Sequence, residues 1–172
     1  QTIQPGLPYF MGGVFSAMDM SSMILAYGAP ELPLNMAALT ELAHFAGLPL
    51  WQTGGCTDSK CFDEQAIIEG SMSVLFSALT GGDLCHDVGY TESAMTGSVF
   101  QLAAMDEAIG YSRRITRGIE VNDETLALDQ MREVCLGGPG HYLGTAATLG
   151  RMQADHVYPA LGDRTSPKEW AE

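Results

Sequence analysis

The sequence predicts an α/β fold, the C-terminal part of an eight-fold β/α (TIM) barrel followed by a helical C-terminal arm. Three observations carry that expectation. Short apolar runs alternate with multi-turn helical segments, the pattern of right-handed βαβ units around a parallel sheet. Two successive units, Leu48–Gln52 into Glu64–Leu79 and Asp83–Val88 into the helix from about Thr96, carry their reactive side chains in the loop after the strand. Three strands are few for an open sheet but fit the end of a barrel.

Tyr9–Met18 reads as a strand with a glycine pair, and Asp19–Pro30 as a loop with an apolar centre. A helix follows between Pro33, which the first turn tolerates, and Gly47, just past its end. Its apolar stripe is read as Leu34, Ala38, Leu42 and Phe45. After the Leu48–Gln52 strand, Asp63 caps a helix striped by Ile68, Met72, Leu75 and Leu79 that stops at Gly81-Gly82. Val99, Leu102, Met105 and Ile109 mark a long helix ended by Gly118. Asn122 caps the next, with Asp123 and Glu124 where the helix dipole favours them, and that helix is expected to reach Cys135. Gly137-Gly138-Pro139-Gly140 breaks the chain before a weaker helix over Thr145–His156. The end reads as an extended arm that packs on something, with Trp170 as an anchor to this subunit or to another. Residues 1–120 are thus assigned to the last βα units of the barrel and 121–172 to the helical arm.

The chain begins at Gln1 without an initiator methionine, passes through Gln4-Pro5-Gly6, and is read as a piece of a longer protein. Eight basic residues against 21 acidic ones give a net charge of −13. Binding a phosphate backbone needs several cations on one face, so nucleic acid is not expected as a partner; an acidic domain suits a cationic substrate or a basic partner, or simply keeps the protein soluble. Four cysteines in 172 residues do not make a disulfide scaffold and are expected to be reduced thiols in the cytoplasm. No apolar run approaches the roughly 20 residues a bilayer span needs. The Gly-Gly pairs lack Walker or Rossmann spacing, which leaves phosphate binding unsupported.

The loop residues placed at the mouth of the barrel are Asp19, Cys56, Asp58, Lys60, Cys61, Cys85, His86, Asp87, Tyr90 and Glu92. Four chemistries compete for them. Cys56, Cys61, Cys85 and His86 offer a zinc donor set, although neighbours such as Cys85 and His86 point to opposite faces of a strand. Cys56 and His86 could form a nucleophile–base pair. Asp58, Asp87 and Glu92 could do acid–base work or serve as caps. Finally, carboxylates with Tyr27, Trp51, Phe62 and Tyr90 would suit a methylated ammonium through charge and cation–π attraction.

Several joined motifs narrow the field. Gly54-Gly55-Cys56-Thr57-Asp58-Ser59-Lys60 with Asp63, Gln65, Ala66 and Glu69 resembles the trimethylamine methyltransferase family of corrinoid-dependent enzymes. So do His86-Asp87-Val88-Gly89-Tyr90-x-Glu92-Ser93 and the run from Arg114 to Ala127. Gly137–Leu143 and the closing Tyr158-Pro159-x-Leu161-x-Asp163-Arg164 with Trp170 resemble the family's C-terminal arm. The resemblance implies an eight-fold barrel, of which this chain is the C-terminal third. It implies methyl transfer from a methylated or quaternary amine to the cobalt of a separate corrinoid protein. Founding members carry pyrrolysine; this chain has none, which implies a relative acting on betaines or other quaternary amines. No Asp-x-His-x-x-Gly corrinoid motif occurs, so no cofactor is expected on this chain and the corrinoid is expected on a partner protein.

On this reading His86, Tyr90 and Glu92 contact the substrate, and Asp58 and Lys60 order the loop or contact it; no metal site is assigned. The piece alone is expected to be inactive, and its open strand edges to drive self-association, consistent with a homo-oligomer. The alternatives are a zinc-dependent methyltransferase or hydrolase using Cys56, Cys61 and Cys85, or a non-catalytic cation-binding or assembly module.

Overall fold

The structure is a computed structural model that describes residues 4–171. It is a mixed α/β chain of two compact units, one ending at Thr116 and one beginning at Arg117. The first unit is built on a three-stranded parallel sheet in the order β1 (Met11–Gly12), β4 (Leu50–Thr53), β5 (Leu84–His86). The register pairs Met11 with Leu50, Trp51 with Leu84 and Thr53 with His86. Parallel strands need crossovers, and these are α1 (Glu31–Phe45) and α2 (Glu64–Thr80).

The expected first strand shrinks to Met11–Gly12. Residues 18–25 instead form a small hairpin, β2 (Met18–Asp19) against β3 (Ile24–Leu25). A second one, β6 (Tyr90–Thr91) against β7 (Thr96–Gly97), takes up the residues expected to open the third helix, so α3 begins at Val99 and ends at Thr116. Two-residue strands carry no alternation that a sequence could display, which is why both hairpins escaped the sequence reading.

The helix boundaries follow their caps. The Asp63 carboxylate accepts from the Ala66 amide at 2.9 Å to start α2, and Gly81, at φ 77°, ends it. That left-handed turn is open to glycine without steric cost.

The helix faces depart from the expected stripes. On α1 the buried residues are Leu32, Met36, Leu39 and Ala43, which with Leu50 and Cys56 make the core cluster. Leu34, Leu42 and Phe45 are 62%, 53% and 90% exposed. On α2 the stripe Ile68, Met72 and Leu79 is likewise exposed, while Ala66, Gly70, Ser73, Val74 and Ser77 are buried. Here α2 packs on α3 through small residues: a Cβ at Gly70 would lie 2.6 Å from Gln101 Nε2 and 2.7 Å from Met105 Sδ. Close helix approach, not bulk, selects that face.

The second unit holds α4 (Asp123–Leu126), α5 (Leu128–Cys135), α6 (Ala146–Asp155) and α7 (Pro167–Trp170). Asn122 caps α4 with a reciprocal capping box to Thr125. The single helix expected from there to Cys135 is broken at Ala127, whose φ is 49°, a conformation an α-helix cannot contain. Thr145 caps α6. The Arg117 guanidinium donates to the Ala154 carbonyl at 2.8 Å. Trp170 is 74% exposed on this chain, so it does not anchor the arm to its own subunit. No helix among the described residues is long and apolar enough to cross a membrane.

Candidate functional site

Strand alternation divides the side chains of β4 and β5 between two faces. Leu50 and Gln52 turn to the helices, and the Gln52 amide donates to Thr40 Oγ1 at 2.6 Å and Thr80 Oγ1 at 3.3 Å. Trp51 and Thr53 turn the other way, joined across the register by Leu84 and His86. There the His86 Nε2 lies 3.1 Å from Thr53 Oγ1, and the Trp51 and His86 rings meet edge-on with centroids 5.4 Å apart. Trp51 and Leu84 are about half exposed, so this face stays open.

Because the strands are parallel, their trailing loops leave from one edge of the sheet. A ladder of backbone hydrogen bonds then extends the β4–β5 pairing through those loops. Gly54 N donates to His86 O (3.1 Å), Gly89 N to Gly55 O (3.0 Å), Thr57 N to Tyr90 O (3.1 Å), Glu92 N to Ser59 O (2.7 Å) and Ser93 N to Thr57 O (3.0 Å). The segments 56–60 and 86–92 therefore share one rim, as the sequence reading required.

Asp58 ties in a third segment. One of its oxygens accepts from the Tyr27 amide at 2.9 Å and the Ser93 hydroxyl at 2.8 Å, and the other from the Gly28 amide at 2.9 Å. Both oxygens are thus engaged, and the carboxylate ties the segments at residues 27–28, 58 and 93 together. Lys60 does not bridge to the Asp58 carboxylate; its Nζ donates to the Asp58 carbonyl at 2.7 Å. From α2, Glu69 supports the loop, accepting from Thr57 Oγ1 at 2.5 Å and the Asp58 amide at 2.9 Å. A Cβ at Gly28 would overlap the Glu69 carboxylate, so glycine there leaves that side chain its place. Sequence reading found Glu69 only as part of a motif and missed its role, because the residues it orders lie eleven and twelve positions away, outside any local helix pairing.

Beyond β5 the backbone is unusual. Asp87 has φ 67°, and Glu92, Ser93 and Ala94 have φ 55°, 53° and 67°. A run of three left-handed non-glycine residues is costly and persists only where surrounding bonds impose it. Those bonds are the Glu92 and Ser93 amides above, the Ser93 hydroxyl to Asp58, and Thr96 Oγ1 to the Glu92 carboxylate at 2.8 Å. Tyr90 and Glu92 are both exposed on this rim.

His86 Nδ1 lies 3.0 Å from Asp87 Oδ1. With Thr53 at Nε2, both ring nitrogens are engaged, and neither pairs with Cys56. That thiol is fully buried, and burial first, with the Asp87 charge second, pushes it up to about 12. A thiol held protonated is the opposite of what a nucleophile or a zinc ligand needs. Cys85 shares a strand face with Gln52, turned away from His86. Among the described residues no three His, Cys, Asp or Glu side chains are grouped to hold a metal ion, so the Cys56, Cys61 and Cys85 set is not assembled. Phe62, placed with the aromatic group from sequence, packs instead against Phe100 with centroids 6.2 Å apart. Asp19 sits in the β2–β3 hairpin and accepts from the backbone and hydroxyl of Ser21.

Comparison with known proteins gives this geometry a context. A family model described as trimethylamine methyltransferase (MTTB) matches residues 1–172. The chain is 32% identical over 170 residues to trimethylamine methyltransferase MttB of Desulfitobacterium hafniense (strain DSM 10664 / DCB-2), covering 99% of this chain and 34% of that protein. It is 32% identical over 173 residues to the glycine betaine methyltransferase of Desulfitobacterium hafniense (strain Y51), covering 100% and 36%. It is 34% identical over 172 residues to trimethylamine methyltransferase MttB2 of Methanosarcina mazei, covering 99% and 34%. The chain spans about a third of the length of these curated relatives. It belongs to the trimethylamine methyltransferase family.

Proposed function

We propose that the protein containing this chain transfers a methyl group from a methylated or quaternary amine to the cobalt of a separate corrinoid protein. The relatives named for trimethylamine and glycine betaine support the amine class. The observation that carries the reading is the shared rim: three loops fastened together at one edge of a parallel sheet whose open face carries Trp51, Thr53 and His86. In an eight-fold barrel that face would line the interior and that edge the mouth, where such folds keep their sites.

A quaternary amine leaves as a neutral amine, so the transfer needs no covalent adduct with the protein. The nucleophile's electron pair forms the new bond to the methyl carbon, and the C–N pair returns to nitrogen. Cobalt(I) supplies that nucleophile and arrives on the partner, as substrate. What remains for this chain is alignment, charge complementarity and exclusion of water. We assign His86, Tyr90 and Glu92 to substrate contact and Lys60 to the outer rim. Asp58 and Glu69 hold the loops in register. The setting proposed is cytoplasmic and homo-oligomeric, with the exposed apolar helix stripes as candidate contact surface.

The test uses the full-length protein, a cobalt(I) corrinoid protein and a panel of trimethylamine, choline and betaines. The expected result is a methyl-cobalt absorbance spectrum with at least one amine. No such spectrum with any of them would overturn the assignment. Light scattering of the same preparation checks the oligomer, and a monodisperse monomer would refute that part.

A further inference from the structure

Asp87 has a charge that the first unit does not balance. Its side chain is 23% exposed, and its ion-pair partner among the described residues is the His86 imidazole, with no Lys or Arg. Through Thr116 the sequence carries twelve Asp and Glu against three cations, Lys60, Arg113 and Arg114. Lys60 is turned to the Asp58 carbonyl. The two arginines lie in the last turn of α3, about 20 Å along its axis from the end that joins the rim. The α3 start is at the rim because Ser98 N donates to Gly89 O at 2.9 Å. So among the described residues of the first unit the carboxylate has an imidazole beside it and no Lys or Arg in an ion pair with it. Its charge is felt by the Tyr27 hydroxyl, raised by burial first and by Asp87 next, and by the Cys56 thiol.

The surroundings fit an organic cation better than a metal. No three His, Cys, Asp or Glu side chains are grouped to hold a metal ion among the described residues, and the nearby Asp58 carboxylate is already taken up by the Tyr27 and Gly28 amides and the Ser93 hydroxyl. His86, 3.0 Å from the Asp87 carboxylate, meets the Trp51 ring edge-on, and the Tyr27 hydroxyl is near enough to feel the Asp87 charge. A partly buried negative charge next to an imidazole, with a tyrosine close enough to feel it, suits a quaternary ammonium, whose charge is spread over its methyl groups and which donates no hydrogen bond. The backbone also places this residue: Asp87, at φ 67°, opens a turn closed by Tyr90 N to Asp87 O at 3.2 Å, directly after the last residue of β5.

We infer that Asp87 is the counter-charge for the ammonium group of the substrate and sets the preference for a cationic methyl donor over an uncharged one of the same shape. This deepens the amine reading above and rests on it for the identity of the ligand.

The experiment measures binding, apart from turnover, in the full-length protein. Calorimetry compares choline with its uncharged isostere 3,3-dimethyl-1-butanol, and glycine betaine with 3,3-dimethylbutanoate, in the wild type, Asp87→Asn and Asp87→Gly. Asparagine tolerates a left-handed φ as aspartate does, and can still accept from His86; glycine adopts it freely. At least one of the two variants therefore keeps the backbone, checked by thermal unfolding. The expected result is a wild-type preference for the cation of about tenfold or more in at least one pair, reduced to within about twofold in both variants through weaker cation binding. A preference that survives in a folded variant overturns the assignment, as does a wild type that binds none of the cations or prefers none over its isostere. Methyl transfer is scored separately. Cation preference lost in the variants without methyl transfer in the wild type sinks the enzymatic reading and leaves Asp87 as the cation's partner.

Discussion

Glu69 and Gly28 form a pair whose coupling can be measured. A methyl group at Gly28 would occupy the space of the Glu69 carboxylate, so Gly28→Ala should drive that side chain out. The Gly28 backbone itself adds nothing, since its φ is not in the left-handed region. What is lost is the pair of bonds from Thr57 Oγ1 (2.5 Å) and the Asp58 amide (2.9 Å). Each bond to a charged acceptor contributes about 1.5–3 kcal/mol, but Glu69 is only half buried and water would replace part of it, so about 2–3 kcal/mol is the expected local loss. Hydrogen exchange of the segment 54–62 in the full-length protein should then accelerate roughly 30- to 150-fold, at 1.4 kcal/mol per decade. In a Glu69→Ala background the obstacle is already gone. Gly28→Ala should there cost much less, giving a coupling of about 1–2 kcal/mol in the cycle. Additive effects, or an exchange rate unchanged in Gly28→Ala alone, would refute the idea that Glu69 orders this loop.

Three further outcomes follow from the same geometry. Gly89→Ala should destabilise by about 2–3 kcal/mol in denaturant unfolding, because it combines a φ of 89° with a Cβ 2.9 Å from Leu102 Cβ. Met105→Ala, at the fully buried seam of α2 and α3, should cost about 2–5 kcal/mol by the same assay, whereas Ile68→Ala on the exposed stripe should cost far less. The Cys56 thiol, ordinarily near 9.0 and raised to about 12, stays protonated in the folded protein over a range where the unfolded chain gives up its proton. Its contribution to stability is therefore whole below pH 9 and erodes as pH rises from there to about 12. Alkylation at pH 8 read by mass spectrometry should label the exposed Cys61 and Cys135 and spare Cys56; labelling of Cys56 at a comparable rate would contradict its burial.

The sequence by itself determined whatever depends on near neighbours. Asp63, Gly81, Asn122 and Thr145 set helix ends because a cap bonds within a turn of its own position. The alternation of β4, α2, β5 and α3 was legible for the same reason, and with it the expectation that the loops at 56–60 and 86–92 would meet. Only the tertiary structure decided which helix faces are buried. Apolar periodicity marks Ile68, Met72 and Leu79, yet the α2–α3 contact runs through Gly70, Ser73 and Ser77, because hydropathy says a face can be covered and not what covers it. It also decided the work of the rim carboxylates. Asp58, Glu69 and Asp87 are all carboxylates; one fastens three loops, one supports the first of them from α2, and one pairs with the His86 imidazole beside it. Their difference lies in partners up to 35 residues away, which distance in space supplies and order along the chain does not.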